Sequence, residues 1–173
     1  MELPTEGCVM KTETTVHFQI KCMLLVISIL LFFVGGTQAG EHLSKGESVY
    51  VSIYSNVYSG VKLHPLELSG MLSIRNTDPT YSISIQKADY YDSKGKLLER
   101  YIRQPLKLSP LESTHFLVKE SDKRGGPGAN FIVGWQSDHN VNQPIIEGIM
   151  LSTKAQLGIS FVCPGKIISE HND

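Results

Sequence analysis

Between residues 48 and 168 apolar and polar side chains alternate in short runs, broken about every 8 to 12 residues by Gly, Pro, Asn or Asp. A period of two puts alternate side chains on opposite faces of a strand, so runs of this kind predict strands and turns. Residues 48–54 place Val49, Val51 and Ile53 on one face, and residues 66–74 do the same with Leu66, Leu68, Leu72 and Ile74. Residues 76–79 (NTDP) form a turn by composition, because Asn and Asp bond back to the local backbone and Pro fixes φ. The next run changes phase: Ile83 and Ile85 share one parity, Ala88 and Tyr90 the other. No regular strand buries both pairs, so one extra residue, a β-bulge, is expected near Gln86 and Lys87.

Residues 92–95 (DSKG) then close a hairpin, with residues 96–102 as the returning strand. Further alternating runs fill residues 114–119, 130–136, 145–152 and 157–163. Seven or eight short strands in a domain of residues 48–168 predict an immunoglobulin-like β-sandwich, with a closed β-barrel as the alternative. Residues 40–47 read as a linker and residues 169–173 as a tail.

The first forty residues follow other rules. Residues 23–34 (MLLVISILLFFV) are apolar except for Ser28, Lys11 and Lys21 lie upstream, and Thr37 and Ala39 flank a small-x-small site. This is the pattern of a secretory signal peptide cut after Ala39. A membrane span needs about 20 apolar residues, and residues 22–40 without a charge come close, so an uncleaved anchor is the alternative. The start of translation is Met1 or Met10 on the same reading. Cleavage makes the protein periplasmic or secreted; retention anchors it in the inner membrane through residues 22–40.

Of the 16 Lys+Arg and 17 Asp+Glu, two lysines and three glutamates precede residue 40, so the remainder is electrically balanced. A balanced domain lacks the basic excess of nucleic-acid binders, and no nucleic-acid partner is expected. Cys8 and Cys22 belong to the leader, which leaves Cys163 alone and unable to form an internal disulfide.

Candidate chemistry is sparse. Lys123, Arg124, Gly125, Gly126 and Gly128 make a basic, glycine-rich loop whose N–H groups could cradle an anion. It has no Gly-Lys-Ser/Thr and no following helix, and the plainer reading is a long connection. Asp138 and His139, followed by Asn140, suit a metal or ligand if they lie in a loop after a strand end, although a solvated turn is simpler. His42, His64, His115, His139 and His171 show no metal-ligand spacing, and neither metal nor cofactor is expected. Cys163 shares parity with Leu157, Ile159 and Phe161, so it reads as a small buried hydrophobe. The competing reading makes it the nucleophile of a hydrolase or redox enzyme with His115 or His139. Asp92 reads as a turn residue and Asp89 as solvent-facing; Trp135 shares a face with Phe131 and Val133 and reads as a core pin. Tyr50, Tyr54, Tyr58, Tyr90, Tyr91 and Tyr101 offer aromatic contact area for recognition.

LSIRNTDP at residues 72–79, ADYYDSKGKLL at 88–98, GGPGANFIVGW at 125–135, PIIEGIMLS at 144–152 and GISFVCPGKII at 158–168 together resemble an uncharacterised bacterial family, domain of unknown function family 3124. The resemblance covers nearly the whole domain and implies exported or membrane-anchored proteins; it carries no activity or site. The expectation is a non-enzymatic extracytoplasmic binding or assembly module with an envelope protein as partner.

Overall fold

The computed structural model describes residues 17–19, 21, 23–25, 42–59, 63–152 and 158–171. Two units are distinguished, Met1–Gly40 and Glu41–Asp173. In the first, the described residues are helical and exposed, and among the described residues no helix is long and apolar enough to cross a membrane. The expected cut after Ala39, and most of the leader or anchor, lie outside the described residues.

The second unit is all β. Its strands are β1 (Leu43–Ser52), β2 (Asn56–Ser59), β3 (His64–Glu67), β4 (Ser69–Arg75), β5 (Ile83–Tyr91) and β6 (Leu97–Arg100), then β7 (Leu106–Leu108), β8 (Ser113–Val118), β9 (Asn130–Asn142), β10 (Ile145–Ser152), β11 (Ile159–Pro164) and β12 (Lys166–Glu170). One antiparallel sheet runs β12-β1-β9-β5-β6, with β7 also beside β5; the other runs β11-β10-β4-β8. β2 and β3 form a separate hairpin. The sandwich is as expected, and among the described residues no barrel closes. β4 and β8 pair in one sheet and β5 and β9 in the other, as the B/E and C/F strands of immunoglobulin domains do. Here β10 flanks β4 and β1 flanks β9.

The core is made by both inner faces. Val49, Val51, Ile83, Ile85, Tyr90, Phe131, Val133 and Trp135 from the larger sheet, with Ile53 just after β1, meet Leu72, Ile74, Val118, Ile146 and Met150 from the smaller one. The phase change in β5 resolves as expected. Ile85 faces Trp135 and Lys87 faces Gly134 across the ladder, leaving Gln86 as the extra residue. Ile83, Ile85, Ala88 and Tyr90 are all buried as a result.

Four expectations need correction. There are twelve described strands rather than seven or eight, because residues 66–74 divide at Leu68, whose N–H bonds Ser55 O, and because β2, β7 and β12 form where a neighbour supplies hydrogen-bond partners. Residues 43–47 are not a linker but the first half of β1, with Ser44, Gly46 and Glu47 buried against β9. Residues 169–170 are no tail: Ser169 and Glu170 pair with Ser48 and Glu47, and the His171 N–H donates to Gly46 O at 2.8 Å. Residues 138–140 are not a loop, since β9 runs on to Asn142. Between Gln136 and Val141 β9 advances five residues against two in β1, so this stretch is an irregularity within the strand.

Candidate functional site

The glycine-rich loop closes one end of the sandwich and is pinned to the β5–β6 hairpin. Asp92 Oδ1 accepts the N–H groups of Lys94 and Lys96 at 2.8 and 2.9 Å, the turn role expected of it, and these bonds hold its carboxyl below the usual range. The turn is completed by Gly95 at φ +77°. Ser93 then binds the loop: its N–H and Oγ–H donate to Gly125 O, and its Oγ accepts the Gly128 N–H at 2.9 Å. The Ser55 N–H donates to Gly126 O, and Gly126 takes φ +74°. A Cβ on Gly125 would lie 2.1 Å from Tyr90 Oη, so glycine is required there by close packing.

The two basic residues of the loop are internally paired. Arg124 forms ion pairs with Asp122 at 2.7 Å and Glu99 at 3.0 Å, and Lys123 with Glu67. The Arg124 bonds hold the Asp122 carboxyl below its ordinary value and raise the guanidinium. Together with Tyr101, Leu117 and Lys119 they border an open cleft of about 810 Å³. The two cationic side chains of the loop are thus already paired within the protein, while Lys119 at the edge of the cleft is not paired among the described residues.

The tyrosines are less exposed than a recognition surface requires. Tyr90 is fully buried and Tyr101 half-buried; with Phe131 and Phe116 they form an aromatic cluster at centroid distances of 5.1–6.4 Å. Burial pushes the Tyr101 hydroxyl up to about 12 and raises that of Tyr90. Tyr58 is the exposed member of the expected set.

Cys163 lies on the inner face of β11 but is half-buried, packed at the margin of the core, and burial raises its thiol. β11 and β8 are opposite edges of the smaller sheet, and His115 is exposed on β8 while the neighbouring Phe116 packs inward. His139 belongs to the other sheet. The thiol–imidazole pair is not assembled.

Asp138 and His139 are brought to a different partner set. The irregularity in β9 carries them beside the segment that enters β5, and the His139 ring stacks on Tyr81 with centroids 4.1 Å apart. That segment is fixed by Asp78, a buried carboxylate that accepts the N–H groups of Tyr81 and Thr80 at 2.8 Å and of Asn142 at 3.1 Å. The Tyr81 and Thr80 bonds hold the Asp78 carboxyl below its ordinary value. Asn76 Nδ2 donates to Tyr81 O at 2.8 Å and Ser137 Oγ to Ser82 O at 3.0 Å, tying both rims together.

The resulting cleft of about 360 Å³ is lined by Thr80, Tyr81, Ser82, Ser84, Lys107, Gln136, Asp138 and His139, among others. Asp138, Lys107 and the Tyr81 hydroxyl have no hydrogen-bond or ion-pair partner among the described residues. Sequence reasoning missed Tyr81 and Lys107, which lie far from residue 138 in the chain; the Asp-Pro turn at residues 78–79 was the available signal. No group of three metal-ligating side chains occurs among the described residues.

The molecule is thus an antiparallel two-sheet sandwich with a polar cleft at one end of its larger sheet. It belongs to the family described as Protein of unknown function (DUF3124), whose model matches residues 46–168. Among curated proteins no relative matches. A solved structure, "Crystal Structure of Thermotoga maritima 1070", is similar at 12% identity with a TM-score of 0.45, over 72% of this chain and 97% of that one. A likeness of that degree carries no argument.

Proposed function

We propose that the domain is a non-catalytic extracytoplasmic binding module whose cleft at Tyr81 and His139 holds a hydroxyl-rich ligand of the saccharide class. One contrast carries the reading: the cations of the glycine-rich loop, Lys123 and Arg124, are paired within the protein, whereas Asp138, Lys107 and the Tyr81 hydroxyl line a cleft without partners among the described residues. Binding sites set a few polar groups around an apolar or aromatic surface. A sugar presents the complement, C–H faces for the rings and hydroxyls for the serine, amide, ammonium and carboxylate groups. The charged-flank leader pattern of residues 1–39 supports the extracytoplasmic setting.

The test is binding of the full chain to a panel of immobilised oligosaccharides, with Tyr81→Ala and Asp138→Asn alongside. The reading expects saturable binding to one class of glycan, weakened at least tenfold by either substitution. Absence of binding across the panel, or retention by both variants, refutes it.

A further inference from the structure

Glu47 shares the parity of Val49, Val51 and Ile53 and therefore turns inward, and it is 2% exposed. Its Oε1 accepts a 2.6 Å hydrogen bond from Gln143 Nε2, and the Gln143 backbone is held in turn by Thr77 Oγ1 donating to its carbonyl at 2.8 Å. Among the described residues no Lys, Arg or His pairs with Glu47, and its Oε2 has no hydrogen-bond partner. Among the described residues the sealed side-chain polar atoms without a partner are Trp135 Nε1 and Ser152 Oγ, so Oε2 is not fully sealed in. Glu47 lines a cavity of about 200 Å³ together with Val49, Gln143, Ile146, Glu147 and Pro164 among others. A carboxylate withdrawn from water without a counter-charge is costly to keep. Glu147, the second acid of the cavity, already has Arg75 at 3.8 Å.

We infer that this cavity binds a primary ammonium group carried on an aliphatic stem, with Glu47 as its counter-ion. An ammonium is a point charge that one free oxygen can take. A guanidinium fork uses both oxygens of a carboxylate, and Gln143 occupies one of them. Calcium needs six or more oxygen ligands, and two carboxylates, one of them paired, fall well short of that set. The valine, isoleucine and proline walls suit the methylenes of the stem. The residues are distinct from those of the saccharide cleft, so neither reading depends on the other.

The experiment titrates the full chain with n-butylammonium chloride and, separately, n-butanol, at matched ionic strength, and follows amide resonances and the melting temperature. The inference predicts saturable shifts at Glu47, Gln143 and Ile146 and a rise in melting temperature with the amine, and neither with the alcohol. Glu47→Gln keeps the size of the side chain and removes the charge; it should weaken the amine response at least tenfold and melt no lower than the natural chain. A natural chain indifferent to butylammonium, or equally responsive to butanol, overturns the inference without any variant. An E47Q chain that binds as well, or fails to fold, overturns it too, the latter by making the carboxylate a structural group.

Discussion

Deleting Gln86 removes the residue that lets β5 change phase. Ile83 and Ile85 are 1% and 0% exposed, and Ala88 and Tyr90 are both 0%. Without the extra residue the two pairs cannot face the core together. If the second half keeps its register, two isoleucines move toward water at about 1.5–3 kcal/mol each, a loss of roughly 3–6 kcal/mol. If the first half holds instead, Tyr90 leaves its stack on Phe131 and its 3.2 Å hydrogen bond to Ser55, which forfeits a comparable amount. Domains of this size are stable by about 5–15 kcal/mol, so the deletion removes a large share of the total. With a urea slope of about 1–3 kcal/mol/M, the midpoint should fall by at least about 1 M. Gln86→Ala is the control. It keeps the residue count and loses only the 3.1 Å side-chain bond to Ser84, about 0.5–1.5 kcal/mol. A deletion chain with an unchanged midpoint and slope would refute the phase argument.

Gly125→Ala drives a methyl group to 2.1 Å from Tyr90 Oη and 2.7 Å from the Ala129 Cβ, and should cost about 1–3 kcal/mol in chemical denaturation; Gly128→Ala, with nothing closer than 3.2 Å, should cost distinctly less. Asp78 has a lowered carboxyl in the folded state, so its contribution is complete above its unfolded value near 3.8 and is lost as pH falls through the lower folded value. Asp78→Asn should therefore be less stable than the natural chain at neutral pH, with the gap closing on acidification, as read from melting temperatures between pH 7 and 2.

Local pattern carried the elements whose geometry is decided within a few residues. The bulge followed from the parity of Ile83, Ile85, Ala88 and Tyr90; the hairpin followed from Asp92 and Gly95; and Trp135 followed from its face-sharing with Phe131 and Val133. Elements that exist because a distant strand offers hydrogen bonds were not legible. β12 forms on the edge of β1, and β9 extends past Gln136 because residues 43–44 of β1 meet its far end. The same non-locality hid the site. Asp138 and His139 were visible as polar residues, but Tyr81 and Lys107, which complete the cleft, come from the segment before β5 and from β7. Glycine-rich composition left an anion cradle at residues 123–128 open beside the plainer reading of a long connection, and could not reveal that Gly125 is demanded by Tyr90 or that Arg124 is spent on Asp122 and Glu99. Glu47 had the parity of a core position all along, and its charge masked the signal.

The most direct test of the binding reading is to map the cleft itself. Amide and side-chain resonances of the full chain are followed while the best glycan from the panel is titrated in. The account predicts saturable shifts at Tyr81, Ser82, Lys107 and residues 137–139, the residues that line the cleft, with residues 123–128 unmoved. Shifts confined to the glycine-rich loop, or a spectrum that the glycan leaves unchanged, would contradict it.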